Sequence, residues 1–381
     1  MTADGWNNIL ITREGRYLEI MGFKDQQTSH FTMDLQTGRL ETQLAQNSKH
    51  KGIYVLVLML AGLPLVLAPR VGSAQQDGAQ LVLESKISLG AVNGRIDHLA
   101  FDVARKQVFI AELENNTVGV VDLDGARLLR RIPDLNRPQG VGYVPSADAL
   151  FVANGGDGTV RVFKGGEFTP TGRLTLGADA DNVRVDAETS HVIVGYGSGA
   201  LAVIDPTTRT KIKEIALAAH PESFQIRASA RQIFVNLPDT QSIIIIDRDT
   251  GGQVASWSTG WDRGNFAMAL DEQNKRALVV FRNPPKLSAR DMRTGAVVAE
   301  QNTCGDADDI FVDGKRRRVY VTCGEGFIDV LNASDYARLA RITTRPGART
   351  SLFIPPLNRL AVAARARERE PAELWIYRAT P

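Results

Sequence analysis

"CGDADDIFVDGKRRRVYVTCGEGFIDV" spans residues 304–330. Its apolar residues recur in short alternating runs: "IFVD", then "RVYVTC", then "GFIDVL". A basic turn separates the first two runs and a Gly-Glu-Gly turn the last two. Period-two alternation rich in β-branched residues, broken by turn signals, predicts three antiparallel strands. The KRRR run (315–318) is then a solvated hairpin turn. A nucleic-acid surface would need basic and aromatic residues in a stripe, so nucleic acid is not the expected partner.

The same pattern recurs along the chain. First runs are "HLAFD" (98–102), "VGYVP" (141–145), "VRVD" (183–186), "FQIR" (224–227), "MALD" (268–271), "IFVD" (310–313) and "LFIP" (352–355). They lie about 42 residues apart, the spacing of propeller blades. Each is followed by a second and a third apolar run, and most by a fourth, more polar one. Seven units of four strands predict an all-β fold, a seven-bladed β-propeller. The seventh unit stops at Pro381 after three strands. "QLVLESKISL" (80–89), ahead of the first unit, supplies the missing outer strand and closes the ring.

"FVANGGDGTVRVF" (151–163), "YVTCGEGFIDV" (320–330) and "ALAVIDPTTRTKIKEI" (200–215) resemble the blades of YVTN-repeat, YncE-like propellers. The resemblance covers about residues 80–381 and implies a seven-bladed fold and an exported protein. It does not fix a function, because one fold hosts many. Cys323 replaces the Asn usual in that motif.

Export is also read from the residues. Lys49-His50-Lys51 precedes an uncharged, apolar stretch from Gly52 to Ala68, and Gly72 and Ala74 sit three and one residues before a cut after Ala74. This is the layout of a secretory signal peptide. The alternative is an uncleaved membrane anchor, the one route by which a membrane would be a partner. The expected organisation is an N-terminal extension (1–48), a leader (49–74) and the propeller (75–381), in the periplasm or secreted. The extension shows no sustained period. Leaders begin near an N-terminus, and a start near Leu44 gives an ordinary one.

Hydrophobic residues are 43% and charged residues 23%, as in a soluble globular protein. The net charge of +2 provides no overall field to attract a polyanion. Two cysteines exclude a disulfide scaffold. Cys304 precedes an inner strand and Cys323 ends the neighbouring one, which brings both to one face. Export favours a disulfide between them over two buried thiols.

The segments leading into the inner strands border the channel. Aligning the units puts Asp97, Gln139, Asp181, Glu222, Phe266, Asp308 and Thr350 in one ring, with His98, Asn182, Ser223 and Asp309 one residue further on. His220 lies near it. The candidate ligand-binding residues are Asp97, His98, Asp181, His220, Glu222, Asp308 and Asp309. Acids gathered in a ring repel unless neutralised, and Ca²⁺ on Asp181, Asp308 and Asp309 would do so. Asp also caps turns through its own loop N–H groups, which is the structural alternative. No Cys-x-x-Cys-His, His-Glu-x-x-His or Gly-x-Ser-x-Gly motif occurs, and "GYGSG" (195–199) reads as a hairpin turn.

The leading reading is an exported, non-catalytic propeller that binds a small molecule or protein at the channel mouth, with no catalytic residue assigned. The second is a cation-dependent hydrolase or lyase of the propeller lactonase kind. The third is a structural platform for protein interaction.

Overall fold

The computed structural model describes residues 80–367 and 370–381, and the backbone of four strands within residues 7–44. The chain divides into two compact units, residues 1–73 and 74–381. The leader expected at 49–74 lies outside the described residues. Among the described residues no helix is long and apolar enough to cross a membrane.

In the larger unit the repeat folds as its period predicts, into seven four-stranded antiparallel sheets. Within blades 1 to 6 the strands pair in chain order. Blade 4 shows the layout: Phe224–Arg227, Gln232–Leu237, Ser242–Asp247 and Gln253–Ser258. Blade 7 takes three strands from the C-terminal end, Ser351–Ile354, Arg359–Ala364 and Ala372–Ala379, and its fourth from Leu81–Gly90. That last pairing is antiparallel, with Leu374 opposite Ile87 and Tyr377 opposite Leu83. The ring is therefore closed by the strand the repeat count requires, and no blade keeps a ragged edge.

Alternation along the strands builds the core. The buried side chains form seven clusters, each shared by two adjacent blades. In blade 4, Ile233 and Val235 pack in the cluster shared with blade 3, and Phe234 between them packs in the one shared with blade 5. Each such side chain contributes about 1.5–3 kcal/mol. A blade on its own would leave both faces wet, so the blades stabilise one another around the ring.

Three inner strands are longer than the sequence pattern suggests: Pro138–Val144 in blade 2, Arg263–Asp271 in blade 5 and Ala307–Asp313 in blade 6. Each carries a bulge at its start, between Pro138 and Val141, Asn265 and Ala267, and Ala307 and Asp309. A bulge breaks the alternation on which strand reading depends and re-aims the side chain at the extra residue. Phe266 and Asp308 thus stand on strands, where the sequence suggested loops.

Two further departures are informative. Within KRRR, Arg316 and Arg318 are not solvated turn residues. Arg316 Nε donates to Thr380 O at 2.7 Å, and Arg318 donates to Thr380 O at 2.7 Å and Pro381 O at 2.9 Å. They clasp the last residues of blade 7 to blade 6. The second departure is a separate four-stranded antiparallel meander of Asn7–Glu14, Tyr17–Lys24, Gln27–Asp34 and Leu40–Leu44. Its sequence hides the period because apolar residues fall on both parities, as in Tyr17-Leu18-Glu19-Ile20-Met21.

Candidate functional site: the channel mouth

All seven inner strands contribute to a central cavity of about 420 Å³. Phe101, Leu270, Phe311 and Leu352 make part of its wall apolar. His98, Arg184, Ser223, Gln225, Asp309 and Ser351 add polar groups. The expected ring is visible in the strand register: the N–H groups of Asp97, Asp181 and Glu222 donate to the equivalent carbonyls of Ala111, Gly195 and Asn236. Blades 2 and 3 approach closely here. A Cβ on Gly140 would run into the Asp181 carbonyl, so this ring position admits only glycine beside Asp181.

The mouth has two chemically different halves. Across blades 5 to 7 it is an arginine clamp. Arg282 donates to Asp308 Oδ1 at 2.8 Å and lies 3.2 Å from Asp306 Oδ1. Arg349 donates to both Asp306 oxygens at 2.8 and 3.0 Å and its Nε lies 3.3 Å from Asp308 Oδ2. Burial alone would raise the Asp308 pKa, but Arg349, Arg282 and Arg95 outweigh it and hold the carboxyl well below the ordinary range. The Arg282 guanidinium also stacks 3.9 Å from the Phe266 ring, which accounts for an aromatic residue among the ring's acids.

Across blades 1 to 4 the mouth holds acids and histidines. Arg95 pairs with Asp97 Oδ2 at 2.9 Å. His98 Nε2 lies 3.8 Å from Asp97 Oδ1 and 3.9 Å from Asp181 Oδ1. His220 shares a 2.6 Å hydrogen bond with Gly197 O, and its Nε2 is 4.0 Å from Asp179. Burial works against charge on His98, yet Asp97, Asp309 and Asp181 raise its pKa above the ordinary imidazole value. Burial, then repulsion by Asp97, lifts Asp181 to about 6. Burial, reinforced by Asp308, also lifts Asp309 to about 6 despite His98 and a 2.7 Å hydrogen bond from Ser351 N.

Glu222 is lifted furthest, to about 8, by burial first and Asp181 second. Its folded pKa lies above its unfolded value of 4.5, so the folded state holds the extra proton and stability falls as pH rises between the two. Glu222→Gln should remove that fall. Because Glu222 is only partly covered, the expected gain is about 2 kcal/mol at pH 9, shrinking towards zero near pH 4. Urea unfolding of both proteins across that range checks it; parallel pH profiles would show that Glu222 is solvated.

Of the candidates read from the sequence, His98 and Asp309 line the cavity; Asp97, Asp181, His220, Glu222 and Asp308 lie near enough to them or to one another to shift their ionisation, but the seven do not form one group. Among the described residues, the cluster whose donor atoms all lie within 4.8 Å is Asp97, His98 and Asp181. Asp308 is committed to the arginines, and Asp309 to Ser351. Sequence reading missed Arg282 and Arg349. The signal was present: Arg349 precedes ring residue Thr350, and Arg282 is the last residue but one of the strand that pairs beside Phe266.

Cys304 and Cys323 form a disulfide with their Cα atoms 5.8 Å apart. It fastens the start of the segment carrying Asp306, Asp308 and Asp309. Asp329 Oδ2 accepts from Cys304 N at 2.8 Å and Glu325 Oε2 from Gly305 N at 2.7 Å, so the segment is held from three sides.

No family model and no curated protein matches this chain. Among solved structures, a chain from the "Crystal Structure of Mitotic Checkpoint Complex" aligns with a TM-score of 0.67 and 14% identity, over 85% of this chain and 98% of that one. At that identity the likeness is one of fold. Residues 80–381 form a seven-bladed β-propeller.

Proposed function

We propose that this protein is an exported propeller of the YVTN-repeat, YncE-like kind whose channel mouth binds a small polar ligand bearing positive charge. The observation that carries the reading is the uneven ion pairing of the mouth's carboxyls. Asp306 and Asp308 are matched by Arg282 and Arg349. Asp97, Asp181, Glu222 and Asp309 instead share Arg95, Arg184 and two histidines. Burial first and neighbouring carboxyls second lift Asp181, Glu222 and Asp309; a cation would stabilise their ionised forms, and a water-poor cleft strengthens that attraction. The disulfide and the basic-apolar-small order of residues 49–74 support export.

The test is thermal unfolding of the native protein in EDTA with a panel of small organic ions. Under this reading, N-terminal sequencing of that material begins at Gln75. Putrescine, choline and arginine amide represent cations; succinate and phosphate represent anions. A ligand at a hundredfold over its Kd adds about 2.7 kcal/mol. A rise in midpoint with a cation at neutral pH, lost in Asp181→Asn, supports the reading. A rise confined to anions, or none across the panel, overturns it.

A further inference from the structure

One cluster in the mouth differs from the rest in donor chemistry. Asp97 and His98 come from blade 1 and Asp181 from blade 3, brought together past the glycine of blade 2. His98 Nε2 stands almost equally far from Asp97 Oδ1 and Asp181 Oδ1, at 3.8 and 3.9 Å. Both separations are too long for hydrogen bonds. The side chains converge without satisfying one another.

The second observation is Asp181 itself. Its side chain is 12% exposed, and its Oδ1, the atom that faces His98, is buried with no hydrogen-bond partner. A buried carboxylate oxygen left unpaired is costly and calls for an unseen partner. Arg95 is ion-paired with Asp97 through Oδ2, and Asp97 Oδ1 is the oxygen that approaches His98.

We infer that Asp97, His98 and Asp181 bind a divalent transition-metal ion of the Zn²⁺ or Mn²⁺ class. With these spacings and the 4.8 Å limit on the third, the point in the donor plane equidistant from the three lies about 2.1–2.5 Å from each, against about 2.0–2.2 Å for zinc bonds to nitrogen and oxygen. A contraction of a few tenths of an ångström completes the fit. One imidazole with two carboxylates suits such ions, whereas Ca²⁺ prefers six to eight oxygens. His98 lines the cavity, so the remaining coordination positions open towards it. The ion would cancel the charge of Asp97 and Asp181.

This deepens the channel-mouth reading and rests on it for location. The two fail separately, because metal binding is measured without organic ligand and the organic panel is run in EDTA. The experiment takes the full, untagged chain, stripped with EDTA and desalted. It is titrated with Zn²⁺, Mn²⁺ and Ca²⁺ by calorimetry and with Co²⁺ by visible absorption. One equivalent of Zn²⁺ and of Co²⁺ should bind, with Ca²⁺ at least about a hundredfold weaker. His98→Ala and Asp181→Asn should each weaken Co²⁺ binding by at least about a hundredfold, and His191→Ala, outside the cluster, should leave it unchanged. Circular dichroism shows whether the variants fold. In the unmutated chain, spin-echo modulation of bound Mn²⁺ should report one imidazole nitrogen. Failure to bind any transition ion, binding that survives both substitutions, or bound Mn²⁺ without imidazole coupling would overturn the inference.

Discussion

Asp308→Ala should lower the unfolding free energy by about 3 kcal/mol at neutral pH, near the bottom of the range for breaking a buried ion pair. The Asp308 side chain is 12% exposed and is gripped by two arginines that are each 13% exposed. Removing the carboxylate leaves those guanidinium groups desolvated and short of countercharge. The low end of the range is expected because Asp306 still engages both. The pH dependence has a definite sign. The Asp308 pKa is depressed below its reference of 3.8 in the folded state, so its contribution is complete above that reference and disappears as pH falls through the folded value. Urea unfolding should therefore show a gap between the two proteins that persists from about pH 5 to pH 8 and closes only in strong acid. A neutral-pH gap below about 1 kcal/mol would mean that the clamp behaves as an exposed pair.

The disulfide is the second large contributor. It closes a loop of 19 residues, for which loss of chain entropy in the unfolded state stabilises the fold by about 3 kcal/mol. Both cysteines are buried in the cluster shared by blades 5 and 6. The Cys304→Ala, Cys323→Ala double variant leaves no polar group there and should lose about that amount. The bond and the Asp308 clamp tie down the same segment, so their losses should not add. The variant lacking all three side chains should unfold more easily than either parent, but by less than the sum. Strict additivity would show that the bond does not position the clamp, and an unchanged midpoint in the cysteine variant would remove it as a source of stability.

The repeat made the architecture legible because each blade writes its strands in the same short alternating words, and the count of seven with a displaced outer strand followed from arithmetic. Ring positions were legible for the same reason: Asp97, Asp181 and Glu222 occupy the same register in their blades. The disulfide followed from knowing which strand ends share a face. What escaped was everything that depends on reach. A one-dimensional alignment puts Asp308 on the ring but does not show that Arg282, from the neighbouring blade, extends to it, because a long flexible side chain has no period. Bulges concealed the starts of three inner strands by breaking the alternation there. Arg316 and Arg318 read as a charged turn because their partners, the carbonyls of Thr380 and Pro381, lie more than sixty residues away and carry no side-chain signature.

The outer strand of blade 7 has a consequence for how the molecule is made. Blades 1 to 6 consist of consecutive segments and can assemble in the order of synthesis. Leu81–Gly90 is the first propeller strand to be made, and its partner, Ala372–Ala379, is almost the last. Whichever compartment it folds in, the nascent propeller must carry an unpaired β-edge at its beginning until the last propeller strand has been made. The interval between the two is a window in which a chaperone, or another nascent copy, meets an open ring.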